Sequence, residues 1–173
     1  MPIATANQTI GPYWHLIEDK SWADLTRFGA TGETISVTGR VINGEGVAMD
    51  YACVEIWQSD PPASETFPAF GRSATNAAGE YRFVTLKPGP VPGRGNARQA
   101  PHLAVSIFAR GLLKHLVTRL YFVGDPLNET DPLLSAIDDP ARRATLIAQP
   151  DGAGVWRLDI VLQGAGETVF LEV

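Results

Sequence analysis

The residues able to do chemistry in this chain are few and scattered. His15, His102 and His115 lie in three separate segments, and none has another His or Cys two, three or four positions on, so no chelating pair is written into the local sequence. Cys53 is the single cysteine, which excludes an internal disulfide and a cysteine-based zinc or iron–sulfur centre. Its setting, Tyr51-Ala52-Cys53-Val54-Glu55-Ile56-Trp57, reads as a strand and makes it a buried structural thiol. There is no Gly-x-Ser-x-Gly elbow, and Gly89–Gly95 lacks the Lys-Ser/Thr and following helix of a phosphate loop. The neighbouring carboxylates Glu18/Asp19 and Asp138/Asp139 read as solvated surface or a helix cap. Arg110 stands apart, closing the apolar run Ala104–Ala109 just before Gly111. A guanidinium at a strand's end can grip both oxygens of a carboxylate, although the same position also suits an ordinary strand-end cation. Spacing alone therefore supplies no self-sufficient active site.

The elements that must position these residues are mostly strands. Seventeen Gly and 13 Pro in 173 residues point to a turn-rich all-β chain of one domain. A net charge of −5 offers no broad basic surface, which argues against nucleic acid as a partner. No apolar run is long enough for a membrane span, and the N-terminus lacks the basic start of a signal peptide, so a cytoplasmic location is expected. In that setting Asn128-Glu129-Thr130 is a chance match to the glycosylation sequon. Residues 1–32 form an aromatic-bearing arm expected to pack on the body or on another subunit, and residues 33–173 form the β domain. Period-two alternation predicts strands over Thr34–Ile42, Cys53–Gln58, Glu80–Leu86, His102–Arg110, Leu116–Val123, Val155–Leu162 and Thr168–Glu172. Ser59–Phe70, with three Pro and few strand formers, reads as a loop, Lys87–Gln99 is too rich in Pro and Gly for regular structure, and Asn76–Gly79 is a turn. One helix is predicted over Pro140–Ala148, with Asp139 as N-cap and Pro140 at the first helical position. The sum is a two-sheet β-sandwich with long loops and one short helix.

A series of short blocks, in order along nearly the whole chain, resembles the intradiol ring-cleaving dioxygenases. They include Gln8-Thr9-Ile10-Gly11-Pro12-Tyr13, Gly39-Arg40-Val41, Val54-Glu55-Ile56-Trp57-Gln58 and Phe70-Gly71-Arg72. Further on stand Gly79-Glu80-Tyr81, Lys87-Pro88-Gly89-Pro90, Ala100-Pro101-His102 and Ser106-Ile107-Phe108-Ala109-Arg110-Gly111. The last are Thr118-Arg119-Leu120-Tyr121-Phe122, Arg157-Leu158-Asp159-Ile160 and Gly166-Glu167-Thr168-Val169-Phe170.

The resemblance implies chemistry and also withholds part of it. Metal-bearing members hold Fe(III) with two Tyr and two His. Here the loop Ser59–Phe70 contains no Tyr, Val91 stands where the second Tyr follows Lys-Pro-Gly-Pro, and His-x-His becomes His102-Leu103-Ala104. Gln99 replaces the family's Arg, three residues before His102, which is left as a vestigial ligand position. Hard ferric iron wants phenolate donors, so the resemblance is to the family's iron-free α-type chains. It implies a β-type partner in an (αβ)n hetero-oligomer, with Fe(III) held by that partner and none by this chain. It further implies an aromatic substrate, protocatechuate, opened with O2 to 3-carboxy-cis,cis-muconate. This chain's share would be the pocket wall: Thr9, Gly11, Pro12, Tyr13 and Arg110. Two other readings remain at this point. One is a complete dioxygenase that gathers His15, His102, His115 and Tyr81 around iron; the other is a non-enzymatic β-sandwich binding module.

Overall fold

Residues 9–11 and 13–172 are described in the structure, a computed structural model. Its first long strand is β1 (Thr34–Ile42), where alternate positions Ile35, Val37, Gly39 and Val41 turn inward as the period-two pattern requires. There follow β2 (Cys53–Trp57), β3 (Phe70–Ala74), β4 (Glu80–Leu86), the two-residue strands β5 (Val91–Pro92) and β6 (Arg98–Gln99), then β7 (His102–Phe108) and β8 (Leu116–Phe122). The short strands β9 (Ile147–Pro150), β10 (Val155–Arg157) and β11 (Ile160–Val161) complete the set among the described residues. Helix is confined to 3-10 turns at Trp14–Leu16, Lys20–Ala23 and Pro126–Glu129 and to the single turns α1 (Pro132–Ser135) and α2 (Pro140–Ala144). No helix among the described residues is long and apolar enough to cross a membrane.

The strands form two layers. In one, β4 runs antiparallel to β1, and the far edge of β1 takes β10 and then β11 in parallel. In the other, β3, β2, β7 and β8 lie side by side, all antiparallel. β9 pairs with β8 in parallel and with β10 antiparallel, and so hinges the layers together on one side. On the opposite side, the turn Asn76–Gly79 carries β3 into β4 and nearly closes the sheet on itself. Between the layers sit Val37, Phe83, Val54, Ile56, Leu103, Ile107 and Leu120, each essentially without solvent contact. At about 1.5–3 kcal/mol for each fully buried aliphatic or aromatic side chain, this interior is the main stabilising term. The expected all-β sandwich is the fold observed.

One glycine shapes the middle of the sheet. The missing side chain of Gly39 admits the Leu158 carbonyl and the Tyr81 hydroxyl, which donates to that carbonyl at 2.6 Å; a Cβ there would collide with both. The predicted strand Val155–Leu162 is accordingly split at Leu158-Asp159 into β10 and β11, each resting on a different part of β1.

Four other expectations are corrected. The predicted helix Pro140–Ala148 ends at Ala144, although Asp139 and Pro140 start it as read. Residues beyond it are claimed by the sheet: the Leu146 carbonyl accepts from Tyr121 N at 2.8 Å, and Ile147 and Ala148 pair with Tyr121 and Phe122. Thr168–Glu172 forms only an isolated bridge, Leu171 to Val117; side chains replace the missing ladder, the Thr118 hydroxyl donating to the Val169 carbonyl at 2.7 Å. β3 lies where the sequence shows Phe-Gly-Arg-Ser-Ala, a run with little β-propensity, and it forms because β2 offers a complementary edge. Lys87–Gln99 contains the hairpin β5–β6, held by pairing of Val91 with Gln99 despite its Pro and Gly.

Candidate functional site

In the layer β3-β2-β7-β8, Val54, Ile56, Leu103, Val105 and Ile107 face the core, so their neighbours face out. Cross-strand register sets Trp57, Ala104 and Arg119 in one row of this outer face and Arg72, Glu55 and Ser106 in the next. Trp57 is half-exposed between two covered ends. Residues of the arm cover one end; the β5–β6 hairpin and α1 cover the other.

At the arm's end, a cleft of about 330 Å³ is lined by Ile10, Trp14, Ile17 and Glu18 on one side and Cys53, Glu55, Arg72 and Phe108 on the other. Arg72 donates to Glu55 through Nε at 2.8 Å and lies over the Trp22 ring. The Glu18 carboxylate accepts from Ala74 N at 2.6 Å. Cys53 is buried, as the strand pattern predicted, and desolvation, with Glu55 adding, pushes its thiol up to about 12. It is not a nucleophile.

Beside this cleft the structure brings Thr9 and Arg110 together. The Thr9 hydroxyl donates to the Ala109 carbonyl at 3.1 Å and accepts from Gly111 N at 3.2 Å, clasping the backbone on both sides of Arg110. Gly111 makes the corner with φ of +86°, a conformation costly for any side chain. The Arg110 guanidinium is largely exposed and meets Asp50 at 3.3 Å, a solvated pair that holds it weakly. Gly11 (φ +74°) and the exposed Tyr13 follow within the same stretch of chain, while Pro12 lies outside the described residues.

The other end contains a cluster that sequence reasoning did not assemble. Asp131 is fully buried and accepts from Leu133 N (2.9 Å), Leu134 N (3.1 Å), Ala100 N (2.8 Å) and the Tyr121 hydroxyl (3.0 Å). That hydroxyl in turn accepts from Arg119 Nη1 at 3.1 Å, and the same nitrogen donates to Gln99 Oε1 at 2.7 Å. Burial pushes the Tyr121 phenol above its ordinary range. Two signals were present: alternation in Thr118–Phe122 puts Arg119 and Tyr121 on one face, and Asp131-Pro132 is an N-cap followed by a first-turn proline. Neither foretells that they meet.

His102 lies against this cluster, its ring tilted toward Tyr121 at 5.5 Å and its Nδ1 hydrogen-bonded to the Ala100 carbonyl at 2.7 Å. Burial is the main cause holding its pKa below the ordinary imidazole value; the Arg119 charge pushes the same way and the Ala100 bond opposes. His15 instead stacks on Tyr51 and His115 on Phe108, and Tyr81 is committed to the Leu158 carbonyl. No group of three or more His, Cys, Asp or Glu able to hold a metal occurs among the described residues. The ferric ion that the family resemblance implies does not fit these residues. Around His102 stand Ala104, the neutral Gln99 amide and a cationic guanidinium, and the nearby carboxylate already accepts four hydrogen bonds.

Layers, register and site agree with one class of protein. The family model described as "Dioxygenase" matches residues 18–164, and the chain belongs to this family, the intradiol dioxygenases. Among curated proteins it is 38% identical to the protocatechuate 3,4-dioxygenase alpha chain of Pseudomonas putida, over 97% of this chain and 96% of that one. It is also 35% identical to the protocatechuate 3,4-dioxygenase beta chain of Burkholderia cepacia, over 79% of this chain and 67% of that one. Among solved structures, the dioxygenase domain of a carbohydrate-binding fusion from Streptomyces sp. SirexAA-E superposes with a TM-score of 0.66 at 28% identity, covering 94% of this chain and 97% of that one.

Proposed function

We propose that this chain is the metal-free α-type subunit of a protocatechuate 3,4-dioxygenase and acts in the cytoplasm beside a β-type partner that holds Fe(III). Its likeness to an alpha chain along almost its full length supports the role, and its likeness to a beta chain supports a partner of the same fold. In the reaction, both atoms of O2 enter protocatechuate as its ring opens between the hydroxyls, giving 3-carboxy-cis,cis-muconate.

The observation that carries the reading is the Thr9 clasp. It pins the arm to the corner that bears Arg110; on this reading Thr9, Gly11, Tyr13 and Arg110, with Pro12 of the same sequence block, contribute to the wall of the partner's pocket. Within that wall Arg110 supplies positive potential for an anionic substrate, and Gly11, without a side chain, lets backbone come close to it. Asp50 is a weak, solvated partner that an incoming carboxylate can displace. Residues 1–32 serve as the arm that reaches the partner, and residues 33–173 are the sandwich that supports it.

Two measurements test this. Arg110→Ala, produced together with a β-type chain, is expected to lower kcat/KM for protocatechuate about 10- to 100-fold, the size of one charge-assisted contact. An unchanged kcat/KM removes Arg110 from the wall. Iron analysis of the chain purified alone is expected to find none; stoichiometric iron with ring-opening turnover overturns the subunit role.

A further inference from the structure

The contact between Arg110 and Asp50 joins two backbone corners, each fixed by bonds of its own. On one side the Thr9 clasp and the Gly111 corner set where the Arg110 side chain leaves the sheet. On the other, Asp50 lies in the turn before β2, next to Tyr51, whose φ of +53° is costly for a bulky side chain. The surroundings hold that turn in place. Tyr51 N donates to the Thr75 carbonyl at 3.1 Å, and the Tyr51 carbonyl accepts from Trp14 Nε1 at 2.9 Å. The His15 ring stacks on the Tyr51 ring with centroids 4.3 Å apart. The Thr75 hydroxyl donates to the Met49 carbonyl at 2.6 Å and accepts from Ala52 N at 2.8 Å. Strain maintained by its neighbours in this way tends to gather at functional sites. What it fixes here is a carboxylate within reach of Arg110.

The pair itself is loose. It rests on one contact, Arg110 Nη2 to Asp50 Oδ1 at 3.3 Å, and Asp50 is the one carboxylate that meets Arg110 among the described residues. The guanidinium is therefore occupied but displaceable. An anion that takes it must first push Asp50 aside, and Asp50 reclaims it when the anion leaves. Such a built-in competitor lowers the affinity of every ligand that uses Arg110 by one common factor, and it leaves untouched a ligand that does not. The reaction makes this useful, because ring opening turns one carboxylate into three. A bare guanidinium would attract the product more strongly than the substrate.

We propose that Asp50 is a positioning residue of the Arg110 wall, a resident counter-ion that limits how tightly the wall holds a carboxylate and so lets the ring-opened product leave. This rests on Arg110 facing the substrate, as read above.

The test uses the complex of this chain with a β-type partner, carrying Asp50→Asn. The amide has the size of the carboxylate, and Asp50 is half-exposed with one side-chain hydrogen bond, so the fold is kept; Asp50→Ser serves as a second variant. KM for protocatechuate and the inhibition constant of 3-carboxy-cis,cis-muconate are both expected to fall about two- to fivefold, the range of a solvated ion pair, with kcat not raised. Inhibition by catechol, which carries no carboxylate, is expected to stay within about 1.5-fold. In an Arg110→Ala background the Asp50 substitution is expected to shift KM by less than about 1.5-fold. Constants unchanged or raised in both Asp50 variants, an equal fall for catechol, or a full shift that persists without Arg110 overturns the proposal. If Arg110→Ala alone leaves kcat/KM unchanged, the wall reading fails and the role of Asp50 with it. If Arg110→Ala is impaired while Asp50→Asn matches the wild type, the role of Asp50 alone is lost.

Discussion

Asp131 is the residue whose replacement tests the cluster most severely. One carboxylate oxygen, Oδ1, accepts from Leu133 N, Leu134 N and the Tyr121 hydroxyl, while Oδ2 accepts from Ala100 N. In Asp131→Asn an amide oxygen can keep the first three bonds, but its NH2 then faces the Ala100 N–H, donor against donor, in a fully buried site. One buried donor left unsatisfied costs about 1–3 kcal/mol, and the remaining bonds lose their charge assistance. Together these give a destabilisation of about 3 kcal/mol, or roughly 6–12 °C in Tm for a chain of this size. Asp131→Ala also removes the N-cap of α1 and strands the Tyr121 hydroxyl, so about 4 kcal/mol or more is expected. Tyr121→Phe removes only one link and should cost about 1–2 kcal/mol. Urea unfolding provides the measurement, with the m-value checked for constancy. If Asp131→Asn lies within about 0.5 kcal/mol of the wild type, the four bonds are not carrying the load assigned to them.

Two further outcomes are expected from the same frame. Gly39→Ala should destabilise by about 3 kcal/mol, because its Cβ drives the Leu158 carbonyl off the sheet; a cost below about 1 kcal/mol in urea unfolding would show that β10 and β11 can yield there. The His102 imidazole should titrate below 6.5, and its effect on stability has a definite sign. Burial, aided by Arg119, makes the folded state bind the proton less readily than the unfolded chain. Its contribution is therefore complete above the ordinary imidazole pKa and is lost as pH falls through the depressed folded value. Wild type should lose stability relative to His102→Gln on acidification through that window, and an NMR midpoint at or above 6.5 would refute the argument.

Much of the fold was legible because half-buried strands write their own pattern. β1 matches the alternation residue for residue and β4 does so up to Thr85, since each has one face in the core and one out of it. Elements that answer to a neighbour left weaker marks. Leu146 and Ile147 look like the apolar side of a helix, yet their backbone completes the edge of β8. Phe70–Ala74 becomes a strand through pairing with β2, not through the preferences of its own residues.

The candidate site divides the same way. The amino-acid sequence by itself determined which groups are missing: no Tyr in Ser59–Phe70, Val91 and Ala104 where the family has ligands, and a single thiol in a strand. Composition can remove a chemistry outright, because no arrangement restores a donor that is absent. Only the tertiary structure decided which remaining groups meet. Thr9 reaches Ala109 and Gly111 across about a hundred residues, and Asp131 joins Ala100, Tyr121 and α1 in one buried network. Such contacts depend on strand order and register, which are set by the packing of the whole sandwich and leave no local trace in any one segment.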